Sequence, residues 1–318
     1  MKIIYHPSVI DCNKIIPKRD ELSKLSVIGE AIEIDFNVIP YIRGVHSERH
    51  ISKVRGACLK KTILAEVPTR PELYTAALNS VGLAIMASNN SDFAITIPPG
   101  HHARPEEVRG FCFFNNIAIG VQKLIEEGER ICIIDIDGHH GDGTEKIFYK
   151  SNKVIYFSVH QEGSFPNNTG KITDIGSGKG KGFNFNIPIP SGSRDDILIR
   201  CLKFSEPYIK KFNPNRIGVS AGFDGFVDDR LLNLEYTTRG FHEAGRIIAE
   251  WGHPVFGVLE GGYHQRVLEC LSSFVAGINN DKIYFDKDIS LSEEDIKQRV
   301  NSNLERIVRK LENENLWI

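Results

Sequence analysis

The segment Asp135-Ile136-Asp137-Gly138-His139-His140-Gly141-Asp142 places three carboxylates and two imidazoles within eight residues. It follows the apolar run Ile131-Cys132-Ile133-Ile134, which reads as a buried parallel strand. Side chains of an extended segment alternate faces, so Asp135 and Asp137 point the same way and His139 can follow them. Buried alone, these groups would repel one another or stay unsatisfied. A divalent cation relieves that problem, and oxygen plus imidazole donors suit zinc or ferrous iron.

The other unusual residues also fall behind predicted strands. His101-His102 follow Phe93-Ala94-Ile95-Thr96-Ile97, a run stopped by Pro98-Pro99-Gly100. Asp224 follows the strand at 216–220, and Glu260-Gly261-Gly262-Tyr263 follows the one at 254–259. The carboxyl ends of parallel strands are where open α/β sheets place their sites. Asp137, His139 and Asp224 can supply three metal ligands and leave a position open, as a catalytic site requires. His101 and His102 can handle protons, and Tyr263 can donate to a developing oxyanion. That set is the equipment of a metal-assisted hydrolase acting on an amide or related bond.

Alternating strands and helices must carry these groups. Strands are expected at 2–5, 93–97, 131–134, 153–160, 183–189, 216–220 and 254–259, and helices at 72–89, 117–127, 195–212 and 237–251. The alternation implies an α/β fold, a mostly parallel doubly wound sheet flanked by helices. With no linker or repeat, one domain over 1–318 is expected. The helix at 292–315, with Ile296, Val300, Leu304, Ile307 and Leu311 on one face, packs on its body.

The 318 residues, 41% hydrophobic and 25% charged, have an ordinary globular composition. A net charge of -2 argues against a dedicated nucleic-acid surface. No apolar run reaches transmembrane length, so no membrane partner is expected. Met1-Lys2-Ile3-Ile4-Tyr5 lacks a signal-peptide pattern, and the six cysteines have no C-x-x-C pairing. The expectation is a cytoplasmic protein with reduced thiols.

Six motifs in order resemble the histone deacetylase superfamily. They are Pro98-Pro99-Gly100-His101-His102-Ala103, Gly110-Phe111-Cys112-Phe113-Phe114-Asn115-Asn116, Asp135 to Thr144, Ser158-Val159-His160, Ala221-Gly222-Phe223-Asp224 and Glu260-Gly261-Gly262-Tyr263. The last is similar to the class II and acetylpolyamine amidohydrolase branches. The resemblance implies an arginase/deacetylase-like fold and a zinc-dependent deacetylase, with ferrous iron as the other candidate metal. Asp137, His139 and Asp224 would bind the metal. His102 would be the general base backed by Asp142, and His101, paired with Asp135, the electrostatic or proton-donating partner. Tyr263 would polarise the scissile carbonyl. Gly110, Phe111, Phe165 and Leu231 would contact the substrate, an N-acylated amine such as an acyl-lysine in a protein or peptide, or a small molecule. Structural potassium is implied at an inner site (Asp135, Asp137, His139, Ser158, Val159) and an outer one (Phe148, Ser151, Val154, Phe183). Arg19 resembles an arginine lining an acetate-release channel.

Departures from the family pattern bear on substrate choice. Gly138 stands where the family has a larger residue, which implies a wider floor near the metal. Asp229-Arg230-Leu231-Leu232-Asn233-Leu234 lacks the family's proline and glycines, so the rim loop should differ in shape. Leu231 stands where a polyamine-selective branch has glutamate, which argues against that selectivity. The sequence leaves open an acetylpolyamine or other small-molecule deacetylase, an arginase-like manganese hydrolase, a binding protein without turnover, and the oligomeric state.

Overall fold

The computed structural model describes residues 1–11, 20–64 and 66–317. In chain order they form β1 (Ile3–Tyr5), α1 (Pro7–Asp11), β2 (Glu30–Ala31), α2 (Ile39–Arg43), α3 (Glu48–Lys60) and the hairpin β3 (Ile63–Leu64) with β4 (Val67–Pro68). Next come α4 (Pro71–Asn90), β5 (Phe93–Ala94), α5 (Asn116–Glu126), β6 (Ile131–Asp135), α6 (Asp142–Phe148), β7 (Val154–Gln161) and β8 (Asn184–Ile189). The last are α7 (Asp195–Phe212), β9 (Arg216–Ala221), α8 (Thr238–Glu250), β10 (Val255–Leu259), α9 (Val267–Asn279) and α10 (Glu294–Asn313).

Eight strands form one sheet in the order β2-β1-β5-β10-β9-β6-β7-β8, each neighbouring pair parallel. All five residues of β6 and of β10 are buried, as continuous apolar runs in the middle of a helix-covered parallel sheet require. Register decides the rest: Asp135 of β6 lies level with Ser220 of β9 and Ser158 of β7. The segments leaving β5, β10, β9 and β6 therefore emerge together at one edge.

Helices α4 and α5 pack on each other, and α7, α8 and α9 form a second packed group. Asn115 caps α5, its Oδ1 accepting from Ala118 N at 3.0 Å. On α10, Val300, Leu304, Ile307 and Leu311 are buried, the face expected from their spacing. Asn303 on the same helix donates from Nδ2 to Pro188 O of β8 at 3.0 Å.

The strand expected over 93–97 pairs as a strand only at Phe93–Ala94. Just beyond it Ile95 N still donates to Ile4 O at 2.9 Å, but Ile97 N has a side-chain partner, Ser80 Oγ, at 2.9 Å. Between the strand at 2–5 and the helix at 72–89, where no element is expected, the described residues hold α1, α2 and α3. In α3 only His50, Ile51, Val54 and Cys58 are buried, too narrow a stripe to stand out. No described helix is long and apolar enough to cross a membrane.

Candidate active site

Asp137 and His139 lie just beyond β6 and Asp224 just beyond β9, with ligand atoms within 4.8 Å of one another. Backbone amides hold the carboxylates. Gly261 N donates to Asp137 Oδ2 at 2.7 Å, and Gly138 N donates to Asp224 Oδ1 at 2.8 Å. The opposite oxygens, Asp137 Oδ1 and Asp224 Oδ2, lie 3.3 and 2.6 Å from His139 Nδ1. A Cβ at Gly222 would overlap the Asp137 carboxylate, and one at Gly261 would overlap both acids, so only glycine permits this approach.

Charge tests whether a cation fits. Burial, with the charge of Asp137 beside it, pushes Asp224 up to about 6. Burial opposes a charge on His139, yet Asp224 and Asp137 outweigh it and hold the imidazole up at about 10. Two buried acids thus demand a positive charge at the point where Asp137 Oδ1 and Asp224 Oδ2 meet Nδ1. A divalent ion answers that demand with the same three donors. Among the described residues, no other group of three His, Cys, Asp or Glu has this geometry.

The two histidines beyond β5 stand beside this cluster with ring centroids 4.0 Å apart. His101 Nδ1 lies 3.2 Å from Asp135 Oδ2, and its Nε2 lies 3.7 Å from Asp137 Oδ1. Burial works against its charge, but Asp137, Asp135 and Glu260 together push it well above the usual imidazole value. His102 Nδ1 lies 2.9 Å from Asp142 Oδ1. Burial, reinforced by the charge of His101, pushes His102 down to about 3. Two adjacent imidazoles with opposite proton affinities have the makings of an acid and a base.

Asp137, His139, Asp224, His101 and His102 face one cavity of about 250 Å³, lined also by Gly110, Phe111, Phe165, Leu231, Tyr263 and Glu66. Gly110 and Phe111 carry consecutive positive φ angles of 51° and 64°. This bend presents the peptide to the cavity beside His102. Phe165 and Leu231 are 42% and 52% exposed, so the mouth is flanked by apolar surface. The Tyr263 ring stands edge-on to Phe111 at 6.1 Å.

The wider floor expected at Gly138 is not there. Leu232, buried to 6% exposure, fills the space, and a Cβ on residue 138 would run into its Cδ1. The leucine of the altered rim loop thus takes the room left by the missing side chain. That loop is further fixed by Asp229, whose Oδ1 accepts from Leu231 N at 2.9 Å and whose Oδ2 accepts from Tyr263 N at 2.8 Å.

The residues expected at the inner potassium site adjoin one another across β6 and β7, where Asp135 pairs with Ser158. Of the outer set, Phe148 O accepts from Ser151 N at 2.9 Å, and Phe183 O accepts from Tyr156 N at 2.9 Å, two residues past Val154. Arg19 lies outside the described residues. His160 is outside the cavity, its Nδ1 2.9 Å from Ser158 Oγ. Cys112 is buried beside the wall, with Sγ 3.2 Å from Gly110 O.

Four contributors escaped the sequence reading. Glu260, fully buried, accepts from Gly100 N at 2.6 Å and His101 N at 3.0 Å and so seats the histidine pair. Tyr156 donates to Asp135 Oδ2 at 2.9 Å. Arg104 and Arg109 both approach Asp142. Burial raises the Asp142 carboxyl, but His102 and the two arginines outweigh it and hold it below the usual range. Glu260 alone had a signal, as the first residue of the Glu-Gly-Gly-Tyr run.

A parallel α/β sheet with a three-donor centre, an imidazole pair and a tyrosine at its strand ends defines the class. Residues 36–278 match the family described as Histone deacetylase domain, and the chain belongs to that family. It is 43% identical over 216 residues to histone deacetylase 14, chloroplastic, of Arabidopsis thaliana, covering 63% of this chain and 50% of that protein. It is 36% identical over 208 residues to the acetylpolyamine amidohydrolase of Mycoplana ramosa, covering 63% of this chain and 61% of that one. The matched stretch thus spans about half to three fifths of these relatives' lengths. The solved HDA15 HD domain superposes with a TM-score of 0.86 at 21% identity, covering 98% of this chain and 96% of that one. The acetylpolyamine aminohydrolase from Burkholderia pseudomallei gives 0.78 at 26% identity, covering 88% and 99%.

Proposed function

We propose that this chain is a zinc-dependent amidohydrolase that removes an acetyl or short acyl group from an N-acylated amine, with acyl-lysine the preferred form. The observation that carries the reading is the convergence of Asp137, His139, Asp224, His101, His102 and Tyr263 on one cavity. Zinc held by the first three would polarise the acyl carbonyl and acidify water. His102, neutral and with Nδ1 turned to Asp142, accepts the proton of the attacking water at Nε2. His101, which holds its proton more tightly, donates to the departing amine. The Tyr263 hydroxyl donates to the carbonyl oxygen as negative charge builds on it. Phe111 and Phe165 flank the aliphatic stem of the substrate, and potassium at the two sets described above would stiffen the strand ends from behind.

The apolar mouth formed by Phe165 and Leu231 favours an acyl-lysine over a polycation. The test is a kinetic comparison, on zinc-loaded and iron-loaded protein, of acetyl-lysine peptides, longer acyl-lysines and acetylated polyamines. Higher kcat/KM on the lysine series is expected. A preference for acetylated polyamines would move the reading to that substrate class, and no release from any acyl amide with metal bound would end it.

A further inference from the structure

Asp142 is buried, with a 2% exposed side chain, and its two oxygens face different partners. Oδ1 meets His102 Nδ1 at 2.9 Å. Oδ2 accepts from Arg104 Nε at 2.8 Å and lies 2.7 Å from its Nη2, with Arg109 Nη1 farther off at 3.7 Å. The acid behind the other histidine is built differently. Asp135 Oδ2 receives the Tyr156 hydroxyl, and no arginine or lysine pairs with it among the described residues. The Arg104 backbone is itself pinned: its carbonyl lies 3.0 Å from His46 Nδ1, and its N donates to Glu107 O at 3.0 Å.

A carboxylate gripped by a guanidinium through one oxygen can only accept at the other. The facing nitrogen, His102 Nδ1, must then carry the hydrogen, which leaves the Nε2 lone pair for the cavity. Without the arginine, Oδ2 would be a buried acceptor with only a distant partner, and Asp142 would be free to turn. We infer that Arg104 is a positioning residue: its grip on Asp142 fixes the orientation of His102 and sets which nitrogen faces the substrate. This role rests on the hydrolase reading for its catalytic meaning, though the orientation itself can be measured without turnover.

The test compares zinc-loaded wild type with Arg104→Met and Arg104→Lys, following the His102 Nδ1–H resonance by ¹⁵N-resolved NMR alongside kcat, KM and zinc content. In the wild type the bond to Asp142 protects this proton from exchange. Arg104→Met should lose the protected signal and about tenfold in kcat, with KM and zinc nearly unchanged, because base alignment is a contribution to the chemical step. Arg104→Lys, which keeps a cation for Oδ2, should retain the signal and about half of kcat. An unchanged signal in the methionine variant overturns the inference, and so does an equal loss in both variants. Should Arg104→Met fail to fold, Arg104→Gln, also uncharged, is judged by the same signal. A wild type inert toward every acyl amide overturns the hydrolase reading alone, and the His102 resonance still decides on Arg104.

Discussion

Tyr263 is placed through its own backbone amide and its ring. Its amide is held by Asp229, and its ring leans on Phe111. Replacing it by phenylalanine removes a hydroxyl and no metal ligand. Tyr263→Phe should therefore lower kcat about 10²–10³-fold, the usual effect of one lost oxyanion donor. Zinc content measured on the same preparation should match the wild type, and a parallel loss of zinc would assign the tyrosine to the structure of the centre. His101 and His102 have the same covalent structure and adjacent positions, yet they are driven in opposite directions. The difference lies in what surrounds each ring: His101 lies among Asp135, Asp137 and Glu260, whereas His102 has one acid whose charge is shared with Arg104.

Among the elements, the rim loop after β9 and the loop after β6 behave as one unit through Gly138 and Leu232. Gly138→Ala should cost about 1–3 kcal/mol, as overpacking of a filled site does. Leu232→Ala in the same chain should recover most of that loss, as urea unfolding of the two single variants and the double variant would reveal. This pairing also marks a limit of reading by sequence. Gly138 read as empty space because residue 232, distant along the chain, gave no sign of reaching it. The strands behind the site were legible from their apolar runs, and the motifs at their ends pointed to the candidate metal donors and the tyrosine that line the cavity. Arg104 and Asp229 were not, since a charged residue in a polar loop looks like solvated surface until its partner is located. Helix α9, directly after the Glu-Gly-Gly-Tyr motif, was not anticipated from the sequence.

For the molecule as a whole, acid stability is limited by imidazoles buried in their neutral form. His46 has both ring nitrogens engaged, Nδ1 with Arg104 O at 3.0 Å and Nε2 accepting from Asn115 N at 2.9 Å. Burial, with His50 beside it, pushes it down to about 3. The unfolded chain takes up that proton near pH 6.5 and the folded chain does not, so the contribution is complete above 6.5 and declines as pH falls towards 3. At pH 5 the loss should be about 2 kcal/mol. Urea midpoints at pH 7.5, 6 and 5 should show the wild type losing its advantage over His46→Asn as the solution is acidified, and a constant gap would refute the assignment. The sheet order carries one more implication. Asp137 and His139 come from one strand end, but Asp224 follows His139 by 85 residues and Tyr263 comes later still. During synthesis a nascent chain would expose two of the three metal donors long before the third leaves the ribosome. On the proposed reading, firm capture of zinc would wait until β9 has inserted between β6 and β10, which would make metal uptake a late event in the life of each new molecule.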